Sequence, residues 1–292
     1  MATLKDIRRR ILSVKNTQKI TRAMKLVSAA KFARANTAVV AARPYGQAFD
    51  GMVRELVAGS DGSLDAPITE TREEKRALVV LIGTDRGFCG SLNANLFRTA
   101  LHFIADKKKE GVNCDVMAWG KRSIMATDRI PQKVVGKREK VLESPSYDLA
   151  KELAADLTER FVEGDDRYDR VYLAFMKFEN ALSQKPTVQQ LLPVGTADDD
   201  TAEASSGPSN LLVEPDLPTL LESVLNKQVA LLIFRTLLEG AASEHGARMT
   251  AMDSATNNAD EVLRNLSIEY NRARQAAITK ELIEITTGAQ AL

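Results

Sequence analysis

Two long segments at the ends of this 292-residue chain lack helix-breaking residues. Residues 3–43 contain no Gly and no Pro, and residues 219–287 contain no Pro and only two glycines, Gly240 and Gly246. As unbroken α-helices they would extend about 60 Å and about 100 Å, at about 1.5 Å of rise per residue. Such helices exceed those of an ordinary globular domain, so the two ends predict a coiled coil.

A membrane-spanning origin for these helices is excluded by their composition. A bilayer span needs about 20 mostly apolar residues. The longest apolar runs, Ala77 to Ile82 and Val229 to Phe234, contain six residues each. With 44% hydrophobic residues, the chain can instead bury a sizeable core in one or two domains.

The C-terminal segment carries a regular seam that alternates steps of three and four residues. Its members are Met249, Met252, Thr256, Ala259, Leu263, Leu266, Tyr270, Ala273 and Ala277. This spacing predicts a coiled coil. The small side chains near its end would let a second helix approach closely.

The N-terminal segment is the expected partner because its charge is opposite. Residues 1–43 hold eleven Lys or Arg against Asp6 alone, a formal +10, whereas residues 214–292 carry −4. Its apolar face is interrupted at residues 16–18 and then resumes; the helix is predicted to continue there, but with a different partner. The predicted face comprises Leu4, Ile7, Ile11 and Val14, followed by Ile20, Met24 and Val27.

The middle of the chain predicts a Rossmann-like α/β head with a parallel sheet, inserted between two terminal helices that form an antiparallel coiled coil. Predicted strands cover residues 77–82, 114–119, 170–178 and 187–194, and predicted helices cover 91–109 and 146–163. The expected domains are an N-terminal coiled-coil helix (1–58), a connector (59–76), the head (77–196), a flexible acidic linker (197–213) and a C-terminal coiled-coil helix (214–292).

One glycine-rich loop is a candidate nucleotide-binding site. Residues 83–90 follow a predicted strand and precede a helix, where α/β proteins bind phosphate. The glycine spacing differs from the dinucleotide fingerprint, and no Gly-Lys-Ser/Thr ending follows. Cys89 at that helix start has only His102 and His245 as candidate bases in the whole chain, so a packed cysteine is favoured over a nucleophile. A nucleotide-dependent α/β enzyme with helical dimerisation arms remains the alternative function.

Other classes of site find less support. Cys89 and Cys114 form no metal-binding pattern, and two cysteines in such a chain are typical of a reducing compartment. The basic N-terminal helix has no aromatic residue before Phe32, which disfavours single-strand nucleic-acid binding. The sequence thus nominates no catalytic residue, metal ligand or cofactor site, and we expect no nucleic-acid partner.

Four segments resemble the gamma subunits of F-type ATP synthases. Residues 278–289 match the C-terminal pattern I-T-x-E-x-x-[DE]-x-x-x-G-A at every fixed position. Residues 16–25, the loop at residues 83–93 and residues 252–259 match in the same order along the chain. The resemblance therefore extends over essentially the whole sequence.

The resemblance implies a non-catalytic central rotor that couples proton-driven c-ring rotation to the conformational cycle of the catalytic beta subunits. Its implied partners are three alpha and three beta subunits, epsilon and the c-ring. The implied location is peripheral, on the cytoplasmic side of a bacterial inner membrane, or the matrix side in mitochondria. Association with the membrane would be indirect, through the complex.

Two sets of contact residues follow from the same resemblance. The residues implied to contact beta are Lys19, Arg22, Met24, Lys25, Arg274, Gln275, Thr279 and Glu281. The foot implied to contact the c-ring comprises Arg43, Pro44 and Tyr45, where the first long helix is expected to end, with Glu214 and Pro215.

Overall fold

The computed structural model describes residues 3–59, 66–163, 167–194 and 217–290. A mostly parallel five-stranded sheet is flanked by long N- and C-terminal helices, which confirms the predicted fold class. The helices are α1 (Leu4–Gly59), α2 (Leu92–Lys109), α3 (Lys121–Thr127), α4 (Tyr147–Val162) and α5 (Leu217–Gln290), with a 3-10 turn at Pro67–Thr69. The strands are β1 (Arg76–Ile82), β2 (Asn113–Trp119), β3 (Val134–Arg138), β4 (Arg170–Phe178) and β5 (Gln184–Leu192).

The sheet has the strand order β3-β2-β1-β4-β5. β1 pairs in parallel with β2 and β4, and β2 pairs in parallel with β3. Residues 77–82 of the central strand are all buried, as expected for a parallel strand covered on both faces. Leu78, Val80 and Ile82 join the core beneath α4 and α5, and the alternate residues join the core beneath α2.

Two details of the predicted sheet were wrong. β5 is antiparallel to β4 and begins at Gln184, not Thr187. Only residues 179–183 separate the two strands, and a parallel crossover needs a dozen residues or more. The short elements α3 and β3 were not predicted, because seven and five residues carry little periodicity.

The N-terminal helix does not end at residues 43–45. α1 is continuous for 56 residues with Pro44 inside it. A proline in a helix interior removes a hydrogen bond and clashes with the preceding turn. Packing just beyond it favours continuation: Arg235 of α5 donates to Asp50 at 3.2 Å, and Val53 and Leu56 are buried in the main core.

The chain divides into two compact units. One, the helical unit, comprises Met1–Ala30 and Arg248–Leu292; the other, the sheet unit, comprises Lys31–Ala247. Within the sheet unit, Phe32 and Val39 of α1 pack with Phe178 of β4 and Leu238 of α5. The domain boundaries expected from the sequence stay predictions.

Candidate functional site

The helical unit is an antiparallel helix pair with a continuous seam. Every one of the nine predicted seam residues of α5 is buried or half-buried, which confirms the predicted repeat on that helix. Cross-helix hydrogen bonds join Thr21 to Thr256, Gln18 to Asp260 and Lys25 to Asp253. Residue numbers rise on one helix as they fall on the other, so the helices run in opposite directions.

On α1, the first predicted apolar positions, Leu4, Ile7, Ile11 and Val14, are all buried or half-buried. Beyond Val14 the steps of three and four continue unbroken through Gln18, Thr21, Lys25 and Ser28, all buried or half-buried. Of the three apolar positions predicted to follow, Met24 is half-buried, whereas Ile20 and Val27 are 61% and 59% exposed. Their predicted change of partner stays a prediction. Along residues 18–28 the helix therefore turns a mostly polar face inward, while Ile20 and Val27 face outward.

The outward face of α1 combines basic and apolar side chains. Lys19 and Arg22 are exposed, and Leu26 lies one further turn along the same face. Met24 is half-buried. Lys25 bonds to the Asp253 carboxylate at 2.5 Å, so its ammonium is already engaged within the unit. Of the four predicted contact residues on α1, Lys19 and Arg22 are thus the most available to another molecule.

All four predicted contact residues on α5 are exposed. Steps of four and seven from Arg274 reach Ile278 and Glu281, and a step of four from Gln275 reaches Thr279, so these residues occupy adjacent rows of one face. Leu282 and Ile285 extend the face and are also exposed. The Thr279 hydroxyl donates to the Gln275 carbonyl at 2.9 Å, so toward a partner it is free to act as an acceptor. This surface offers charge, hydrogen bonds and apolar contact together.

The predicted foot is described only in part. Arg43, Pro44 and Tyr45 lie on the exposed side of α1, and the Tyr45 ring centroid lies 6.1 Å from that of Phe49. Tyr45 also borders an apolar groove of about 480 Å³ between α1 and α5, whose lining includes Ala41 and Phe234. Glu214 and Pro215 lie outside the described residues.

The glycine-rich loop after β1 is held by hydrogen bonds to Asn93 of α2. Asn93 of α2 accepts a hydrogen bond from the Thr84 backbone N–H at 3.2 Å and donates to the Thr84 hydroxyl at 2.9 Å. The same amide donates to the Cys89 sulfur at 3.3 Å. Asn93 thus occupies the N-terminal end of α2, where a phosphate would have to bind. Cys89 is buried, which fits the packed cysteine favoured from the sequence.

Asp85 in this loop has a role that sequence reasoning missed. Its Oδ1 accepts hydrogen bonds from the backbone N–H groups of Lys121 at 3.0 Å and Lys140 at 2.8 Å. It thereby ties together the loops that follow β1, β2 and β3. The neighbouring Phe88 is 72% exposed with φ of 60°, a left-handed conformation uncommon for a non-glycine residue.

Neither metal binding nor thiol chemistry at Cys114 finds support among the described residues. Within the described ranges, no three or more His, Cys, Asp or Glu side chains lie close enough to hold a metal ion. Burial raises the pKa of Cys114 to about 11, so its thiol is unreactive near neutral pH. Among the described residues, none of the helices contains an apolar stretch of the length that a bilayer span requires.

Comparison with known proteins assigns the family. The profile of the ATP synthase family matches residues 3–292. The ATP synthase gamma chain of Geobacter metallireducens is 44% identical, covering 100% of this chain and 99% of its own length. That of Heliobacterium modesticaldum is 42% identical over the full length of both chains.

Solved structures share the fold at lower identity. The rotor of Euglena gracilis mitochondrial ATP synthase has a TM-score of 0.65 and 21% identity, and covers 94% of this chain and 98% of that one. The central stalk and c-ring structure of Tetrahymena thermophila mitochondrial ATP synthase gives a TM-score of 0.63 and 23% identity, covering 81% of this chain and 99% of that one. The chain belongs to the ATP synthase gamma chain family.

Proposed function

We propose that this chain is the central rotor shaft of an F-type ATP synthase, coupling proton-driven rotation of a c-ring to the conformational cycle of catalytic beta subunits. The observation that carries the proposal is full-length identity of 40–44% to ATP synthase gamma chains. The antiparallel pair of long helices supports it, since a torque-bearing element must resist bending and twisting.

The chain itself supplies no active site in this proposal, and ATP is made or hydrolysed on beta. Its partners are three alpha and three beta subunits, epsilon and the c-ring. It sits peripherally on the cytoplasmic side of a bacterial inner membrane and reaches the membrane only through the complex. The alternative nucleotide-dependent enzyme has no specific observation in its favour, because Asn93 fills the loop that would hold phosphate.

The working surfaces are the exposed faces of the helical unit. Lys19 and Arg22, bordered by Met24 and Lys25, can meet an acidic and apolar segment of beta. Arg274, Gln275, Thr279 and Glu281 can form hydrogen bonds with a second beta segment. Exposed ion pairs contribute only about 0–1 kcal/mol each, so such contacts can form and break as the rotor turns. Arg43, Pro44 and Tyr45, with Glu214 and Pro215, form the proposed c-ring foot.

Co-expression with the alpha and beta subunits of the same host tests the proposal. We expect a complex that co-purifies and whose ATPase activity depends on this chain. Failure of the folded chain to assemble, or to alter the ATPase activity of alpha and beta, would contradict it.

Micromolar binding of ATP or NAD by the isolated chain, measured by calorimetry, would favour the enzyme alternative.

A double substitution tests the α5 surface within that complex. Arg274→Ala with Gln275→Ala removes a charge and an amide from the exposed face, so we expect lower turnover, weaker assembly or both. Lys280→Ala with Glu284→Ala is the matched control, because these two exposed residues pair with each other at 3.6 Å on the same helix. Equal activity of the first variant and the parent would remove Arg274 and Gln275 from the site.

A further inference from the structure

Along residues 18–28, α1 buries the face that hydrophobicity alone would leave exposed. Thr21 and Ser28 are 8% and 3% exposed, whereas the apolar residues one position earlier, Ile20 and Val27, face outward. The inward positions, Thr21 and Ser28, each follow an outward position, Ile20 or Val27, by one residue. Exchanging them would require a rotation of α1 by about 100° about its axis. Burial of apolar area would favour the rotated arrangement.

Three cross-helix pairs oppose that rotation. We name as the polar layer the residues that form them: Gln18, Thr21 and Lys25 of α1 with Asp253, Thr256 and Asp260 of α5. In each pair a side chain of α1 bonds a side chain of α5 directly. Rotation by one residue would separate all three pairs and place polar α5 groups opposite Ile20, Met24 and Val27.

The threonine pair is the most buried element of the polar layer. The two hydroxyl oxygens lie 2.8 Å apart; Thr21 Oγ1 also lies 3.0 Å from the Gln18 carbonyl, and Thr256 Oγ1 lies 2.7 Å from the Met252 carbonyl. Two hydroxyl protons can supply only two of these three contacts, so when one hydroxyl donates across the interface the other donates to its own helix. Separating the pair would leave a buried hydroxyl with one partner fewer.

The ion pair between Lys25 and Asp253 fixes the orientation of α1 more than it stabilises the helix pair. The side chains of Lys25 and Asp253 are 39% and 46% exposed, and pairs so exposed contribute little free energy. Their geometry nevertheless fixes which side of α1 faces α5. Polar pairs that specify one arrangement among several are the best-attested use of buried polar groups in coiled coils.

We infer that the polar layer holds α1 at one rotation about its axis and thereby keeps Ile20 and Val27 outward beside Lys19 and Arg22. Lys25, at the border of this face, then also fixes its orientation through Asp253. The inference concerns the folded chain by itself. Only its consequence, presentation of that face to beta, rests on the proposed function.

Cysteine labelling of the full-length chain measures the rotation directly. Val27→Cys and Ser28→Cys are made separately, and each is labelled with a maleimide; native Cys89 and Cys114 are buried and give the background. In the parent we expect Val27→Cys to react at least about tenfold faster than Ser28→Cys, since a buried thiol reacts only after local opening.

The decisive variant makes the α5 side of the polar layer apolar while leaving α1 unchanged. With Asp253→Leu, Thr256→Val and Asp260→Leu together, we expect the order of labelling to invert, because Val27 turns inward and Ser28 outward. The matched control moves the same three replacements one residue along, to exposed positions: Ser254→Leu, Asn257→Val and Glu261→Leu. The control should keep the parental order. Fluorescence of the single tryptophan, Trp119, confirms in each variant that the sheet unit is folded.

Each other outcome overturns the inference. An unchanged order in the decisive variant would mean that something else sets the rotation of α1. Fast labelling at both positions would mean that the polar layer holds the helices together without choosing a face, and an inversion in the control would point to a general effect of added apolar surface. A charge exchange gives an independent check: Asp253→Lys alone should raise Ser28→Cys labelling, and adding Lys25→Asp should restore it. Failure of that rescue would exclude Lys25 from the role.

Because labelling uses the free chain, these results do not depend on ATPase activity. A chain that labels as expected but does not assemble with alpha and beta would contradict the proposed function alone.

Discussion

At the scale of single residues, the sheet unit depends on a few close approaches and buried polar groups. Gly120 follows β2 with φ of 90°, and a Cβ there would lie 2.0 Å from the Gly83 carbonyl oxygen. Asp115, which is 3% exposed, accepts hydrogen bonds from Arg76 at 3.1 Å and from the Tyr168 hydroxyl at 2.9 Å. In each case one residue is constrained by contacts with residues far along the chain.

The glycine at position 120 is expected to be irreplaceable. Gly120→Ala forces a backbone clash and should cost more than about 4 kcal/mol of unfolding free energy, or prevent folding of the sheet unit. Gly111→Ala is the control: φ there is 86°, but nothing lies within 4 Å of the added carbon, so only the strain of about 1–2 kcal/mol applies. Urea unfolding followed by Trp119 fluorescence measures both. Equal effects in the two variants would show that the clash is relieved.

The buried tyrosines predict a loss of stability in alkali. Burial, with a hydrogen bond to Asp115, raises the pKa of Tyr168 to about 12, above the value near 10 expected in the unfolded chain. The stabilising contribution is therefore complete below pH 10 and falls as pH rises toward 12. Tyr168→Phe should flatten this decline, while losing about 1 kcal/mol near neutral pH with the hydrogen bond. The unfolding free energy of each protein, measured from pH 8 to 12, tests this prediction. Tyr45→Phe, which changes an exposed tyrosine, is the control. Identical declines in the parent and both variants would contradict the prediction.

At the scale of elements, the seam of the helical unit changes character along its length. Ile7 and Ile11 give it an apolar stretch, and the polar layer follows. α5 carries its own regular repeat, whereas α1 takes its rotation from hydrogen bonds that α5 provides. The two helices therefore contribute unequally to the specificity of their pairing.

The apolar stretch should provide much of the stability of the helical unit. Ile7 is 2% exposed, so Ile7→Ala should lower the local opening free energy by about 2–4 kcal/mol. Leu12→Ala alters an exposed residue of the same helix and should stay within about 0.5 kcal/mol. Amide hydrogen exchange of α1 before residue 30 reports the difference. A larger loss of protection in the Leu12 variant would mean that the seam is assigned to the wrong face.

At the scale of the whole molecule, the part of α5 beyond the seam carries exposed apolar residues. The last seam residue is Ala277, and Ile278, Leu282 and Ile285 are all exposed after it. Exposed apolar side chains at such density mark a surface that another protein covers. This is where the proposed rotor would be enclosed by its catalytic partners.

A chain shortened after Ala277 tests that assignment. We expect unchanged Trp119 fluorescence and helical content per residue, since both units keep their buried contacts, together with lower turnover of the assembled complex. The full-length triple variant Ile278→Ser, Leu282→Ser and Ile285→Ser should lower turnover in the same direction. Full activity from both would show that these side chains make no working contact.

Much of the candidate surface could be predicted from local information. The charge of α1 and the resemblance to the family pointed to Lys19, Arg22 and Arg274, and the structure places all three in solvent. Asp85 could not be predicted, because the backbone groups it binds lie 36 and 55 residues away. A carboxylate in a loop carries no local sign of so distant a partner.

The sequence by itself determined the two long helices, the repeat of α5 and the α/β character of the middle, because spacing of apolar side chains along one element is a local property. Only the tertiary structure decided that β5 runs antiparallel, that α1 continues through Pro44 and that Thr21 faces inward while Ile20 faces out. In each case the deciding free energy lies in contacts with another element. For α1, hydrogen bonds to α5 hold Thr21 inward, although the apolar pattern of α1 alone would place Ile20 there.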